Sequence, residues 1–251
     1  MSGELSKARE ALIKSLYTRH GRKKTGLCLC EGRRCCGEVF ASSPELIEFT
    51  VCREELQEHY PDAVAIPGFK FDKLGTTENS QGILLVARHP EPPPEDAPIL
   101  DPFALVLDRV GDPGNFGTIL RTAKAAGLKE IWYTEGSADP FGDKTVRAAM
   151  AAQFTMNLRK FPDLYALKAF LVKNGFLKFF RTDPHEGESC FTAKGLYERS
   201  AVIIGSEAHG VSELAESIPV TIPMPGHFES LNAAQAATIF IFEYVRRTTS
   251  R

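Results

Sequence analysis

Apolar positions follow helical and strand spacing in two stretches of the chain, with a proline-rich segment between them. Apolar residues three and four positions apart indicate a helix, and alternation or a short apolar run indicates a strand. In the first stretch this spacing predicts, in order, a helix over 4–19, a strand at 27–30, a helix over 33–41, an apolar turn at 47–51, a helix over 53–59, a weak strand at 63–66 and a strong strand at 82–87. The first stretch is therefore predicted to be a small α/β sandwich.

The proline-rich segment is the clearest boundary in the chain. Residues 88–98 contain five prolines, which is too many for a helix or a central strand, and such a segment is stiff and extended. We therefore predict a first domain over residues 1–89, a linker over 90–99 and a second domain over 100–251.

Strands and helices alternate regularly after this linker. The predicted elements are a strand at 103–108, a helix to 126, a strand at 130–134, a helix over 143–152, a candidate strand at 154–158, a helix at 163–174, strands at 177–182, 200–205 and 220–223, and a last helix at 231–247. This order is typical of βαβ units that form a mostly parallel sheet, and such sheets bind ligands beyond the carboxyl ends of their strands. The loops at 109–117, 205–212 and 223–231 are therefore the candidate sites.

The first of these loops leads into a helix that carries polar side chains near its start. Asp112 followed by Pro113 is a typical helix start, and Arg121 follows Asn115 by about 9 Å along the helix axis. A neutral amide and a cation at this separation suit a substrate with a hydroxyl and a phosphate. The loop alone is equally compatible with a turn whose glycines merely permit it. Those glycines do not form the dinucleotide motif G-x-G-x-x-G, and the loop has no P-loop lysine.

The other two loops carry one acid, one histidine and two small polar residues. Glu207 either orients an amide or a guanidinium or lies in solvent, and His209 is either a base or incidental. Ser230 is placed to cap the last helix, and capping alone also explains Asn232. Because residues 231–247 are apolar on most of the predicted helix surface, we expect them to be buried in the domain or against a second subunit.

Composition restricts the class of protein. The chain has 251 residues, of which 43% are hydrophobic and 25% are charged, and this excludes a fibrous, disordered or coiled-coil protein. It has no apolar run of 18 residues and no signal-like start, so we expect neither a membrane span nor secretion, and a cytoplasmic location.

The formal net charge of −2 argues at first against a nucleic-acid partner. The charge is unevenly distributed, however. Nine basic residues face three acidic ones over residues 1–34, four face twelve over 35–99, and seventeen face seventeen over the rest. The basic cluster at 19–24 is therefore either a solvated face or a contact with RNA.

Four cysteines crowd together at positions 28, 30, 35 and 36. Structural zinc sites need two pairs of cysteine or histidine ligands separated by a longer arm, and no second pair follows Cys52 or lies near Cys190. We therefore expect buried thiols that pack as small hydrophobic groups, with no disulfide framework and no metal.

The three loops together resemble the SpoU (TrmH-like) branch of the SPOUT superfamily of RNA methyltransferases. The matching segments are Asn115-x-Gly117-x₃-Arg121, Gly205-x-Glu207-x₂-Gly210, and Ile222-Pro223-Met224-x-Gly226-x₃-Ser230-Leu231-Asn232. Each segment alone is a weak signal, but their order at strand ends makes the match specific over residues 103–247. Residues 10–88 also resemble the ribosomal-protein-like substrate-binding domain of the rRNA-modifying members, through Arg22, Glu31-Gly32 and Gln81-Gly82.

The resemblance implies a fold, a cofactor and a reaction. It implies a trefoil-knotted α/β domain, which is a rare exception among folds, a homodimer through this domain, and S-adenosylmethionine bound in the knot. The implied reaction is methyl transfer to a ribose 2′-hydroxyl, with ribosomal RNA favoured over transfer RNA because of the first domain.

The resemblance also assigns roles to individual residues. The implied catalytic residues are Arg121, Asn115, Glu207, Ser230 and Asn232. The implied cofactor-binding residues are Gly205, Ile222, Met224, Ser230 and Leu231. The candidate RNA contacts are Arg19, Arg22, Lys23 and Lys24, while Lys144 and Arg147 are open between an RNA contact and a subunit contact. Since an arginine side chain has a pKa above about 12 and is a poor base, we favour a positioning role for Arg121.

Two other functions fit part of the sequence. Residues 107–114 superficially resemble the glycine-rich first motif of Rossmann-type methyltransferases, with Glu135 as the ribose-binding acid, but that hypothesis leaves the third loop unexplained. A non-catalytic RNA-binding or assembly factor that retains the fold is the alternative from another class. Intact Asn115, Arg121 and Glu207 argue against it.

Overall fold

The two structural units of the chain do not follow the chain order. The computed structural model describes residues 4–75, 80–226 and 229–249. Unit 1 comprises Met1–Glu91 and Asp139–Thr155, and unit 2 comprises Pro92–Ala138 and Met156–Arg251. The prediction that residues 100–251 form one domain therefore needs a correction, because residues 139–155 belong to the first unit and not the second.

Both units combine helices with strands. The helices are α1 (Lys7–Leu16), α2 (Arg19–Thr25), α3 (Arg33–Ser42), α4 (Gly68–Phe71), α5 (Pro113–Ala125), α6 (Asp143–Ala149), α7 (Leu164–Lys173) and α8 (Ala233–Thr249). The strands are β1 (Leu27–Glu31), β2 (Ile47–Arg53), β3 (Val64–Ile66), β4 (Ile83–Arg88), β5 (Phe103–Leu107), β6 (Glu130–Thr134), β7 (Asn157–Phe161), β8 (Lys178–Thr182), β9 (Glu188–Ser189), β10 (Ser200–Ile204) and β11 (Ile218–Thr221). Most predicted elements are present, with bounds that differ by a few residues.

Unit 1 contains a four-stranded sheet in the order β1-β4-β2-β3. Strand β4 is antiparallel to both β1 and β2, and β2 is parallel to β3. Because side chains alternate between the two faces of a strand, Cys28 and Cys30 pack on one face and Leu29 on the other. Both faces of the sheet are therefore buried.

Residues 139–155 return to unit 1 because their apolar side chains complete one of these two cores. Val146, Ala151 and Phe154 are buried in the same cluster as Cys28 and Cys30. Polar contacts add to this packing, since Arg147 forms ion pairs with Glu31 and with Asp143 at 3.6 and 3.2 Å. Helix α6 ends where Met150 and Ala151 adopt positive φ, earlier than the predicted end at residue 152.

All six cysteines are free and buried, which confirms the prediction that these thiols pack in the core. Burial raises the pKa of Cys36 well above its ordinary value. No group of three or more His, Cys, Asp or Glu side chains among the described residues is arranged to hold a metal ion.

Three local predictions in unit 1 are wrong. The predicted helix over 4–19 is broken into α1 and α2, because the Thr18 side chain accepts a hydrogen bond from the backbone of Gly21 and starts a new helix. The predicted turn at 47–51 is part of β2, which lies between β4 and β3 and buries Thr50 to Cys52. The predicted helix over 53–59 is a single 3₁₀ turn at Glu54–Leu56.

Unit 2 contains a seven-stranded parallel sheet in the order β7-β6-β5-β10-β8-β11-β9. Strands β5 and β10 are adjacent and every residue in both is buried, as expected for the centre of a parallel sheet covered on both faces. The predicted parallel α/β domain is therefore confirmed, and its central strands lead into two of the three candidate loops.

None of the described helices is both long enough and apolar enough to cross a membrane.

Candidate active site

Two of the three candidate loops, at 205–212 and 223–231, line a cavity at the carboxyl ends of the unit 2 strands, together with the segment that follows β8. The cavity has a volume of about 260 Å³. Its lining includes all five residues predicted to bind a cofactor, namely Gly205, Ile222, Met224, Ser230 and Leu231. His227 and Phe228, within the third loop, lie outside the described residues.

The cavity has apolar walls and an acidic polar lining. Aliphatic and aromatic side chains of β10, β11 and α8 contribute Ile204, Val220 and Phe240. Three carboxylates also line it, from Asp183, Glu207 and Glu229, and no Lys, Arg or His side chain is among the described residues of the lining. Such a cavity suits a ligand with a flat apolar group and a positive charge.

Asp183 is a cavity residue that the sequence did not single out. It follows β8, and its carboxylate accepts hydrogen bonds from the backbone N–H groups of His185 and Glu186, both at 2.9 Å. It also receives a hydrogen bond from Arg181 at 2.7 Å. Burial alone would raise the pKa of Asp183, but these hydrogen bonds and the arginine charge together lower it. The only available signal was its position directly after a predicted strand.

The second loop requires a glycine at its first position. A Cβ at Gly205 would lie 2.1 Å from the carbonyl carbon of Gly210 and 2.2 Å from the backbone nitrogen of Val211. These atoms belong to the backbone and cannot rotate away. The loop from Gly205 to Val211 is thus folded tightly on itself beside the cavity.

Three predicted catalytic residues form a chain of side-chain hydrogen bonds. The Nδ2 of Asn115 donates to Glu207, and the Nδ2 of Asn232 donates to the Oδ1 of Asn115 at 2.9 Å. The Asn115 amide therefore has both ends occupied and a defined orientation. This chain joins the first, second and third loops.

Asn232 has a second role at the start of α8. Its Oδ1 accepts hydrogen bonds from the backbone N–H groups of Ala234 at 2.9 Å and Gln235 at 3.3 Å. Asn232 caps the helix, because α8 begins at Ala233, so the capping explanation of Asn232 is confirmed and the capping role predicted for Ser230 is wrong. Ser230 instead lines the cavity.

Arg121 projects from the exposed side of α5. Among the described residues its guanidinium has no hydrogen-bond or ion-pair partner, and the residue is exposed. The helix is fixed by Asp112, whose side chain accepts from the backbone N–H of Asn115 at 2.7 Å, so Asn115 and Arg121 are held on one rigid element. An exposed guanidinium without a partner is available to a phosphate.

A buried carboxylate joins the first two loops. Asp108, which is 1% exposed, accepts hydrogen bonds from the Thr134 hydroxyl and from the backbone N–H of Ser212, both at 2.7 Å. It thereby holds the end of the second loop against the end of β5. The sequence showed only that an acid ends a buried strand, so its role was missed.

The candidate RNA contacts of α2 differ in exposure. Arg19, Lys23 and Lys24 are exposed, whereas Arg22 is buried. The Arg22 guanidinium forms an ion pair with Asp139 at 2.7 Å and donates to the carbonyl of Leu16 at 2.8 Å. The prediction that Arg22 contacts RNA therefore needs a correction, since its guanidinium is paired with Asp139 inside unit 1.

Similarity to known proteins covers nearly the whole chain. The model of the SpoU rRNA Methylase family matches residues 102–242. The chain is 32% identical to the 23S rRNA (guanosine(2553)-2′-O)-methyltransferase RlmP of Bacillus subtilis, covering 91% of this chain and 92% of that protein. It is also 29% identical to a 23S rRNA (uridine(2479)-2′-O)-methyltransferase of Streptomyces viridochromogenes, covering 79% and 72% of the two chains.

Solved structures agree with this similarity. A TrmH-family structure from Porphyromonas gingivalis superposes with a TM-score of 0.83 at 30% identity, over 98% of this chain and all of that one. The SpoU methyltransferase AviRb of Streptomyces viridochromogenes, solved with the cofactor AdoMet, gives the same TM-score at 24% identity, over 98% and 99% of the two chains.

The Rossmann-type alternative does not fit this fold. It would place the cofactor between the loops that follow β5 and β6, whereas the cavity is formed by residues that follow β8, β10 and β11. In the Rossmann order, moreover, the strand beside the first one is the fourth in sequence. Here β8 would be that fourth strand, but β10 lies between it and β5. The resemblance stated from the three loops is confirmed, and the chain belongs to the SpoU rRNA methylase family.

Proposed function

We propose that this protein transfers a methyl group from S-adenosylmethionine to a ribose 2′-hydroxyl of ribosomal RNA. The observation that carries the proposal is the placement of an acidic cavity beside the hydrogen-bonded chain of Asn115, Glu207 and Asn232. The two rRNA 2′-O-methyltransferases to which the chain is similar support the substrate class.

The cavity residues fit S-adenosylmethionine. Apolar walls suit an adenine ring, and the carboxylates of Asp183, Glu207 and Glu229 suit a ligand with two cationic groups. The residues that would hold it are the five predicted ones, Gly205, Ile222, Met224, Ser230 and Leu231. When bound, S-adenosylmethionine supplies an electrophilic methyl group on a positively charged sulfur.

Arg121 binds and orients the RNA in this proposal. A guanidinium remains protonated in proteins, so it acts as a cation and a hydrogen-bond donor and not as a base. It contacts a phosphate next to the acceptor ribose and stabilises the negative charge that develops on the 2′-oxygen. Holding the hydroxyl in line with the methyl group contributes much of the rate acceleration, because alignment alone can supply roughly 7–11 kcal/mol.

Asn115, Glu207 and Asn232 fix the shape of the RNA side of the site. The amide of Asn115 is held from both ends, so it presents a fixed face to the ribose. Ser230 lines the cavity, as Glu207 of these hydrogen-bonded side chains does. These four residues position groups and keep their protonation state, so the proton of the 2′-hydroxyl passes to solvent water as the bond from the methyl group to the 2′-oxygen forms and its bond to sulfur breaks.

Three further features belong to the proposal. The tight fold of the loop from Gly205 to Val211 supports the trefoil knot, and the two-faced sheet of unit 1 supports a ribosomal-protein-like substrate-binding domain. Helix α8 carries Phe242 with 48% of its surface exposed, which supports a homodimer through unit 2. With ribosomal RNA as the substrate, we place the protein in the cytoplasm.

The decisive experiment is labelled methyl transfer to separate pools of ribosomal and transfer RNA, followed by mapping of the modified nucleotide. We expect label on a ribose 2′-oxygen of ribosomal RNA. Label on a base would overturn the reaction class, and label only in transfer RNA would overturn the substrate. Absence of S-adenosylmethionine binding by calorimetry would instead support a non-catalytic RNA-binding factor.

A further inference from the structure

A second cavity lies in unit 1 and takes no part in the site described above. It has a volume of about 390 Å³ and is lined by Arg33, Arg53, Glu55, Leu56, Ser80, Gln81 and Gly82. We call it the Arg33–Arg53 recess. Its lining is mostly polar and carries two guanidinium groups and one carboxylate, which is unlike the acidic cavity of unit 2.

Arg33 stands at the rim of the recess with its backbone fixed and its side chain unused. Its backbone N–H donates to the Oε1 of Gln81 at 2.7 Å, which holds the first residue of α3 against the segment before β4. Among the residues that the structure describes, the Arg33 guanidinium has no hydrogen-bond or ion-pair partner, and the residue is exposed. Arg33 is therefore a cation without a partner among the described residues, on a backbone position that a hydrogen bond fixes.

Arg53 forms the opposite side of the recess and is held by carboxylates. Its guanidinium pairs with Asp72 at 2.5 Å and with Glu55 at 3.6 Å, and 27% of the side chain is exposed. A Cβ at Gly82, where φ is +78°, would lie 2.9 Å from Leu56 and 3.1 Å from Arg53. The glycine thus keeps the floor of the recess open.

The start of α4, which carries an exposed aromatic residue, lies against Arg53 of the recess. A Cβ at Gly68, the first residue of α4, would lie 3.8 Å from the Cδ of Arg53, and Asp72 pairs with Arg53 just after this helix. Phe69 follows Gly68 and has 65% of its surface exposed, with the Lys73 ammonium 6.0 Å from the ring centre. A phenylalanine this exposed has no role in the core of unit 1 and is available for stacking.

We propose that the recess and Phe69 bind one unpaired nucleotide of the RNA substrate. Arg33 contacts its phosphate, and the base stacks on the ring of Phe69. Sequence-specific contacts with RNA target unstacked bases in loops and bulges, which stack on aromatic side chains and arginines. The recess thereby selects RNA with an accessible single-stranded nucleotide over a continuous duplex. The identity of the partner as RNA rests on the proposed function, but its binding here does not require methyl transfer.

The test is RNA binding by the full-length protein, measured by fluorescence anisotropy without S-adenosylmethionine. The probes are a labelled single-stranded RNA of twelve nucleotides and a fully paired duplex of the same length. We expect F69A to weaken single-strand binding about tenfold and to leave duplex binding unchanged. The matched control is F191A, which removes a ring of unit 2 that is 47% exposed.

Charge is tested separately by the salt dependence of binding. We expect R33Q to lower the slope of log affinity against log salt concentration by about 0.7, the value for one contact with a single strand. The control is R34Q, since Arg34 is exposed next to Arg33 but does not line the recess. Equal effects of R33Q and R34Q, or unchanged single-strand affinity in F69A, would overturn the proposal. Failure of the wild-type protein to methylate any RNA would count against the proposed function alone, because these binding measurements use no cofactor.

Discussion

At the residue scale, the side chains of the candidate active site differ in whether hydrogen bonds to other residues fix them. Asn115, Glu207 and Asn232 are linked by hydrogen bonds, and Asp108 is buried with two donors at its carboxylate. Arg121 has no partner among the described residues. A guanidinium without a described partner, on the helix that also carries Asn115, is the arrangement expected of a group that binds an anionic substrate.

Replacement of Arg121 by alanine should abolish most methyl transfer and leave cofactor binding intact. The side chain is exposed and does not line the cavity, so its loss removes contacts with RNA only. We expect the rate under saturating cofactor to fall at least ~10²-fold, the effect of removing one group that stabilises developing charge. Single-turnover transfer of label measures the rate, and calorimetry measures cofactor affinity.

One further variant separates shape from charge at this position, and a second variant elsewhere is the control. R121K retains the charge but not the planar fork, and we expect an intermediate rate. K173A removes an exposed cation at the end of α7 and should have no effect. Near-normal turnover in R121A would refute the assignment.

At the element scale, loops at the ends of β5, β10 and β11 meet because their strands share one sheet. Strands β5 and β10 are neighbours although about a hundred residues separate them. The second loop then closes on itself so tightly that one residue cannot carry a side chain. Its conformation is therefore a property of backbone packing, and it forms a wall of the cofactor cavity.

Replacement of Gly205 by alanine should weaken cofactor binding at least tenfold. The added Cβ would lie about 2 Å from backbone atoms of Gly210 and Val211, so the loop has to move and the cavity wall moves with it. Calorimetric titration with S-adenosylmethionine measures the effect. The control is G111A, since a Cβ there meets its nearest atoms at 3.8 Å and φ is not positive. Equal affinities of G205A and G111A would show that the loop accommodates a side chain.

At the scale of the whole molecule, one segment of the chain belongs to a different unit from the residues on either side of it. Residues 139–155 leave the sequence of unit 2 and pack in unit 1, where Val146 and Phe154 join the core. Arg22 and Asp139 form an ion pair that helps to fix the start of this segment. One of the four candidate RNA contacts is therefore a structural residue.

Replacement of Arg22 by alanine should destabilise unit 1 without weakening RNA binding directly. Removing Arg22 leaves the carboxylate of Asp139, which is 23% exposed and keeps a hydrogen bond from the backbone N–H of Phe141, so we expect a cost of about 1–3 kcal/mol. The Arg22 side chain is only 7% exposed, so solvent screens this pair little. Hydrogen–deuterium exchange followed by mass spectrometry should show faster exchange in α2 and in residues 139–155.

The matched variant K23A removes an exposed charge of the same helix. We expect its stability to change by no more than about 0.5 kcal/mol, while its RNA binding weakens if α2 contacts RNA. The opposite pattern, in which R22A weakens RNA binding at unchanged exchange rates, would contradict the structural role.

Much of the fold and of the candidate site could be predicted from local patterns. The parallel sheet follows from strands that alternate with helices, and the burial of Cys28 and Cys30 follows from their alternation in an apolar strand. The three loops were found because their residue types and order match a family, and their place at strand ends follows from the sheet. The acidic cavity of unit 2 is lined by the five residues that were predicted to bind a cofactor, and their cofactor role stays a prediction.

The sequence by itself determined the family, the type of sheet and the loops, because these depend on residue types at short spacing. The tertiary structure decided which groups remain available, because burial and pairing depend on residues distant in the chain. Arg22 pairs with Asp139, which lies 117 positions away in the sequence, and Asn115 is hydrogen-bonded to Glu207, which lies 92 positions away. Residues 139–155 belong to unit 1 for the same reason, since the core they complete is assembled only when the chain folds.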